Sequence, residues 1–197
     1  MSDFQDKVLI VDDFLDKDLF FQIKEEVIES ESWTFNPGIS VENEGDPKIF
    51  YGFAAGVVDE EEPENYLYEY GTHIPLIKRL NEEVKRQFNL KKVLRCRIDM
   101  TTFRGEDSIT FAPHIDLDGL HMTSIFYIND SDAPTIIYDQ MRLYGDVEQP
   151  LKVVKLTVKE RVYPKENRLV LFKGNHVHTG MCPTTSSCRI LINTNYN

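Results

Sequence analysis

Between residues 93 and 196 the chain is one short β-prone segment after another, and this limits the fold more than any other feature. The segments fall at residues 93–102, 110–116, 122–128, 135–138, 151–158, 168–172, 177–180 and 189–196. Asn-Asp, Gly, Pro and Lys-Glu-Asn turn signals separate them. In the first segment Leu94, Cys96, Ile98 and Met100 share one face, while Arg95, Arg97 and Asp99 share the other. That is the two-residue period of a strand. Many short strands require a barrel or sandwich, because a sheet must cover its apolar face with another layer.

The first half reads differently. An apolar run at residues 7–11 ends at Asp12-Asp13 and predicts a strand. Asp16 then stands where a helix N-cap belongs, and Leu19, Ile23 and Val27 recur at four-residue steps, predicting a helix to about Glu29. A second helix is expected from Pro75, with Leu76, Leu80, Val84 and Phe88 on its apolar face and Asn89 as its stop. Both helices are expected to support one face of a sheet. Residues 40–70 hold aromatic clusters and the acidic run 59–64. They read either as outer-sheet packing with a solvated loop or as a mobile cover over a site. The expected class is mainly β with two supporting helices. It forms a single domain over residues 1–197, with 1–92 as support and lid and 93–197 as core.

Composition excludes some functions. The 22 Lys and Arg against 33 Asp and Glu give a formal charge of -11. That argues against a nonspecific nucleic-acid or anionic-membrane binder, because phosphate binding rests on clustered cations. Residues 1–6 do not form a basic signal-peptide start, and no apolar run reaches membrane-spanning length. Cys96, Cys182 and Cys188 fit no zinc spacing and read as free thiols of a reducing cytoplasm.

The chemistry points to His114-Ile115-Asp116. On an extended segment the imidazole and carboxylate face the same way. A second histidine from a distant strand would complete a metal site, and His176 and His178 both qualify, since period two gives them one face. Two histidines and one carboxylate with open positions suit non-heme Fe(II); the same donors also suit zinc. Asp118 and His121 are expected in a loop at the mouth. Arg189 precedes an apolar run, so its guanidinium is expected inside, where a buried cation needs a partner. That partner is either an acidic side chain of this chain or a bound carboxylate. Asn193 and Asn195 share its parity and are candidates for polar contacts near a metal.

The order of these pieces resembles the 2-oxoglutarate- and Fe(II)-dependent dioxygenases, in particular the prolyl 4-hydroxylase-like branch and its small viral and microbial relatives. The residues that carry it are His114-Ile115-Asp116, Leu169-Val170-Leu171-Phe172, His178-Thr179-Gly180 and Arg189-Ile190-Leu191-Ile192-Asn193. The resemblance implies a double-stranded β-helix, the cupin-like jelly roll. It selects His178 over His176, because the family's distal histidine precedes a small residue and Gly, with the co-substrate arginine about one hairpin later. It then implies Fe(II) on His114, Asp116 and His178, and 2-oxoglutarate on Arg189. Tyr127, Ile125 and Ile136 would line the same pocket, although Tyr127 reads equally well as core. Ascorbate would serve as reductant. The implied reaction converts 2-oxoglutarate to succinate while hydroxylating a peptidyl, prolyl-like or small-molecule substrate; Asp116 fits hydroxylation, since halogenating relatives lack this carboxylate. Nucleobase-directed demethylation and a non-catalytic metal-binding jelly roll are the alternatives. The expected location is cytoplasmic, the host's for a viral member.

Overall fold

The computed structural model describes residues 6–37, 51–105, 107, 109–142 and 155–197. Two antiparallel sheets face each other. The larger runs in the order β1 (Leu9–Val11), β8 (Arg168–Lys173), β5 (Met122–Tyr127), β10 (Cys188–Tyr196), β4 (Val93–Thr102), β3 (Gly52–Val58), β2 (Thr34–Asn36). The smaller is β7 (Val158–Val162), β6 (Thr135–Met141), β9 (His176–Thr179). This is the expected jelly roll, mainly β with two helices.

Helix α1 (Lys17–Ile28) starts where the sequence places it: Asp16 Oδ1 accepts the Leu19 N–H at 3.0 Å. Helix α2 (His73–Phe88) starts two residues before Pro75. Proline is tolerated there because first-turn N–H groups have no helical partner. Thr72 does not cap it; its hydroxyl donates to Glu26 of α1 and ties the helices together. Asn89 ends it in the left-handed conformation, φ 52°. The buried stripe is Ile74, Ile77, Leu80, Asn81 and Val84, so the four-residue step from Leu76 catches only part of it; Leu76 and Phe88 are partly buried.

Alternation along β10 divides the interior in two. Ile190, Ile192 and Tyr196 pack toward the helices with Cys96, Ile98, Phe126, Leu169 and Leu171. Leu191 points between the sheets, with Ile125, Tyr127, Ile137, Val170 and Phe172. Arg189, Asn193 and Asn195 share the parity of Leu191 and are all buried. Each fully buried aliphatic or aromatic side chain contributes roughly 1.5–3 kcal/mol. Both layers therefore hold β10 firmly, and with it the polar residues on its inner face.

Three expected segments differ. Residues 110–116 do not form a strand: only Thr110 and His114 pair, with Met181 and His178. Pro113 has no N–H to donate, so the ladder is reduced to bridges. Of the expected strand 151–158, residues 151–154 lie outside the described residues and 155–157 are not strand; β7 instead spans Val158–Val162. β7 is an edge, where Lys159, Glu160 and Arg161 are tolerated, so no apolar run marks it. Around the aromatic clusters, β3 begins at Gly52 and Tyr68–Tyr70 is a 3-10 turn; the remainder of the 40–50 region lies outside the described residues. Among the described residues no helix is long and apolar enough to cross a membrane.

Candidate metal and co-substrate site

His114 lies directly opposite His178, each donating its N–H to the other's carbonyl at 2.9 Å. Facing residues of an antiparallel pair project to the same side. His114, Asp116 and His178 therefore converge, their donor atoms all within 4.8 Å of one another. Asp116 Oδ1 is 3.9 Å from His114 Nε2, and Oδ2 is 3.6 Å from His178 Nε2. These gaps are less than twice a metal–ligand bond of about 2.1 Å. Each imidazole is aimed from behind: His114 Nδ1 donates to the Ala112 carbonyl at 3.0 Å, and His178 Nδ1 to the His176 carbonyl at 3.1 Å. That arrangement fixes the tautomer and leaves both Nε2 lone pairs for a metal. The donor set fits a divalent cation.

The electrostatics agree. Burial pushes the Asp116 carboxyl up, but His178, His114, Arg95 and Arg97 outweigh it and hold the group far below the usual carboxylate range. Asn195 Nδ2 donates to Asp116 Oδ2 at 3.0 Å, and Asn193 Nδ2 spans both oxygens at 3.3 and 3.2 Å. Burial lowers His178 to about 4 despite the pull of Asp116, so it is neutral near pH 7. The side chains of Asp116 and His178 are almost completely covered, whereas His114 is 31% exposed, so the group opens on the His114 side.

His176 lies outside this group. It is buried, with Nδ1 2.7 Å from the Tyr138 carbonyl and Nε2 2.6 Å from Asp6. The two histidines share a parity but not an environment. An irregularity in the β6–β9 pairing places His178 opposite Ile137 and His176 opposite Met141, toward the other end of β9.

Arg189 is 5% exposed, and its guanidinium makes no ion pair among the described residues. Nη2 donates to Thr135 Oγ1 at 2.6 Å, Nε has no partner, and Tyr127 lies beside it with its ring 5.7 Å from Cζ. The Tyr127 hydroxyl meets Thr135 Oγ1 at 2.6 Å. A Cβ at Gly180 would come within 3.2 Å of Arg189 Nη1, so the glycine after His178-Thr179 makes room for the guanidinium. A buried cation without an anion is strongly unfavourable, and this one fits a ligand carboxylate.

Ile125 is on the inner face with Tyr127 and Leu191. Ile136 is not: it packs with Ile115, Tyr138 and Val177 on the outer side of the small sheet, and Ile137, opposite His178, takes the inward place. A pocket role for Ile136 is therefore corrected by strand parity. The inward residue beside Arg189 is Thr135, whose hydroxyl no apolar pattern singles out. Asn193 and Asn195 bear on Asp116 and hold the carboxylate. Asp118 and His121 both lie in the loop before β5, as expected, but His121 is buried, with Nδ1 on the Gly119 carbonyl.

No family model matches the sequence, and no curated protein matches it by sequence. The fold does have close counterparts. A prolyl hydroxylase from Trichoplax adhaerens, solved with a hypoxia inducible factor peptide fragment, superimposes with a TM-score of 0.63 at 16% identity, covering 98% of this chain and 84% of its own. An oxidoreductase of the 2OG-Fe(II) oxygenase family from Burkholderia pseudomallei gives 0.66 at 12% identity, covering 96% and 84%. The epimerase SnoN, in complex with Fe3+, alpha ketoglutarate and nogalamycin RO, gives 0.65 at 11% identity, covering 97% and 78%. The chain thus has the jelly-roll fold of the 2-oxoglutarate/Fe(II) oxygenases, prolyl hydroxylases among them.

Proposed function

We propose that residues 1–197 act as one Fe(II)- and 2-oxoglutarate-dependent oxygenase domain that hydroxylates a peptidyl or small-molecule substrate. The observation that carries this reading is the group of three donor atoms within 4.8 Å, two imidazoles and one carboxylate. Arg189 on the facing sheet, whose guanidinium makes no ion pair among the described residues, supports it. So does the fold shared with a prolyl hydroxylase and with an epimerase solved with Fe3+ and alpha ketoglutarate.

His114 Nε2, the Asp116 carboxylate and His178 Nε2 would hold the iron, and Arg189 the far carboxylate of 2-oxoglutarate. When bound, the two supply the oxidising chemistry: dioxygen is consumed, 2-oxoglutarate becomes succinate and carbon dioxide, and the substrate gains a hydroxyl. The chain's part is geometry and charge. Asn193 and Asn195 keep Asp116 in one orientation and ionised. The Ala112 and His176 carbonyls keep the imidazoles turned toward it. Thr135 holds Arg189 in place through Nη2, and Tyr127 closes the apolar wall beside it. Ile125, Val170, Phe172 and Leu191 keep the space between the sheets dry, which strengthens the pairing of Arg189 with a carboxylate.

The test is aerobic release of labelled succinate from 2-oxoglutarate with Fe(II) and ascorbate. Release that Zn(II) suppresses and His178→Ala abolishes is the expected result. Tight Zn(II) binding with no release across peptide, amino-acid and metabolite panels would instead make the site a zinc or purely binding centre.

A further inference from the structure

Beside Asp116 the large sheet opens into a cleft of about 370 Å³, whose lining includes Arg95, Arg97, Gly56, Leu67 and Thr34. That volume suits a small molecule or one residue of a chain. We propose that this is the substrate cleft and that it takes a substrate bearing a carboxylate or phosphate, held by Arg97 with Arg95 beside it. This rests on the oxygenase reading for the word substrate; oxyanion binding in the cleft does not.

Arg95 and Arg97 alternate along β4 and pair with Asn195 and Asn193 of β10. They therefore lie on the inner face, next to the residues that hold Asp116. Arg97 uses only Nε, donating to Asp99 Oδ2 at 2.8 Å. Its two terminal nitrogens make no hydrogen bond to the described residues, and the side chain is 32% exposed. The nearest acid to Arg95 is Asp116 at 3.6 Å, already engaged by two asparagines. The residue opposite Arg97 across the β3–β4 pair is Gly56, which is exposed and leaves the guanidinium uncovered. A planar guanidinium with two free parallel N–H groups binds a carboxylate or phosphate by two hydrogen bonds. Asp59 and Glu60 also border the cleft, but both are exposed, where water and salt screen them. The part-buried guanidinia act at shorter range and in a lower dielectric.

The experiment is nuclear magnetic resonance of arginine Nε–H groups in the full chain, titrated with inorganic phosphate and separately with acetate at constant ionic strength. A saturable shift at Arg97 and Arg95 is expected in the wild type and in Arg189→Gln. Tighter binding of phosphate or of acetate identifies which anion the substrate carries. Arg97→Gln is expected to weaken binding at least tenfold. Gly56→Asp removes no native contact, since only Leu67 Cδ1 lies near the new Cβ, at 3.4 Å. It sets a carboxylate over Arg97 and is expected to abolish binding, whereas Gly56→Asn retains it. Saturation confined to Arg189, equal affinity in Arg97→Gln, or uniform unsaturated shifts in all arginines would overturn the proposal. A parallel titration with 2-oxoglutarate separates the two readings: no response at Arg189 defeats the co-substrate assignment and leaves the cleft result standing.

Discussion

His114 and His178 are 64 positions apart, yet they exchange both of their main-chain hydrogen bonds and bring their rings to 4.8 Å between centroids. The bridge, rather than a continuous strand, turns His-X-Asp toward β9. It also makes the two histidines of β9 distinguishable by experiment. His178→Ala removes one of three donors and is expected to lower Fe(II) affinity by more than about 100-fold, since even outer partners of ligands contribute 10–100-fold. His176→Ala instead breaks the bonds to Tyr138 and Asp6. It is expected to cost about 1–3 kcal/mol of stability while Fe(II) affinity changes less than about threefold. Anaerobic Fe(II) titration and thermal unfolding of both variants check this; the reverse pattern would move the site to His176.

Arg189→Ala is expected to weaken 2-oxoglutarate binding by about 30- to 4,000-fold, the range for removing one partner of a buried charge pair. Iron binding should persist, because Arg189 touches none of the three donors. Thr135→Val keeps the shape but removes the acceptor of the Arg189 Nη2 bond and the Tyr127 contact. It is expected to weaken 2-oxoglutarate by about tenfold, in line with one lost hydrogen bond to a charged group. Anaerobic calorimetry reads both, and unchanged affinity in Arg189→Ala would end the co-substrate assignment.

The sequence shows periods and types well, and depth poorly. The β10 alternation put Arg189, Asn193 and Asn195 on one face, and the structure has them there. The Arg95-Arg97-Asp99 alternation was equally plain, but its meaning depends on which face the helices cover, and only packing decides that. The resemblance implies a pocket role for Ile136, but the pairing of Ile137 with His178 puts Ile137 inward instead. Thr135 left no sequence signal, since a hydroxyl is informative only once Arg189 and Tyr127 flank it. Pro113 was the visible warning that residues 110–116 could not make a full ladder.

Asn195 donates to Asp116 and to Thr123 Oγ1 from one amide nitrogen. Asn195→Ala therefore removes one of the two amides that hold the carboxylate, without touching a metal donor. Metal affinity is expected to fall about 10–100-fold, as for other residues that orient a ligand. Asn195→Asp should be worse, because it sets a second carboxylate against Asp116 in a buried site. Competition with a metal-sensitive dye, using Mn(II) to avoid oxidation, gives the affinities. Wild-type affinity in both variants would show that Asn195 matters only for packing.

The segment entering β10 is itself held by one carboxylate. Asp132 Oδ2 accepts the Thr184 hydroxyl at 2.6 Å and the Thr184 and Thr185 N–H groups at 2.9 and 3.0 Å; Oδ1 accepts the Ser186 N–H at 3.0 Å. Burial pushes this carboxyl up, but the donors from Thr184 and Ser186 outweigh it and hold it well below the ordinary value of 3.8. A group depressed on folding adds stability above its unfolded pKa, about 3.9, and loses that contribution as the pH falls toward its folded pKa. Asp132→Asn is thus expected to cost about 2 kcal/mol at pH 7, from hydrogen bonds to a charged acceptor. The gap from wild type should be unchanged at pH 5 and should narrow below pH 4. Urea unfolding at pH 7, 5 and 3 measures it. Because this loop leads directly into Arg189, the same variant should also weaken 2-oxoglutarate by a few-fold at pH 7; a gap that stays constant into acid would show that the charge of Asp132 does not hold the loop.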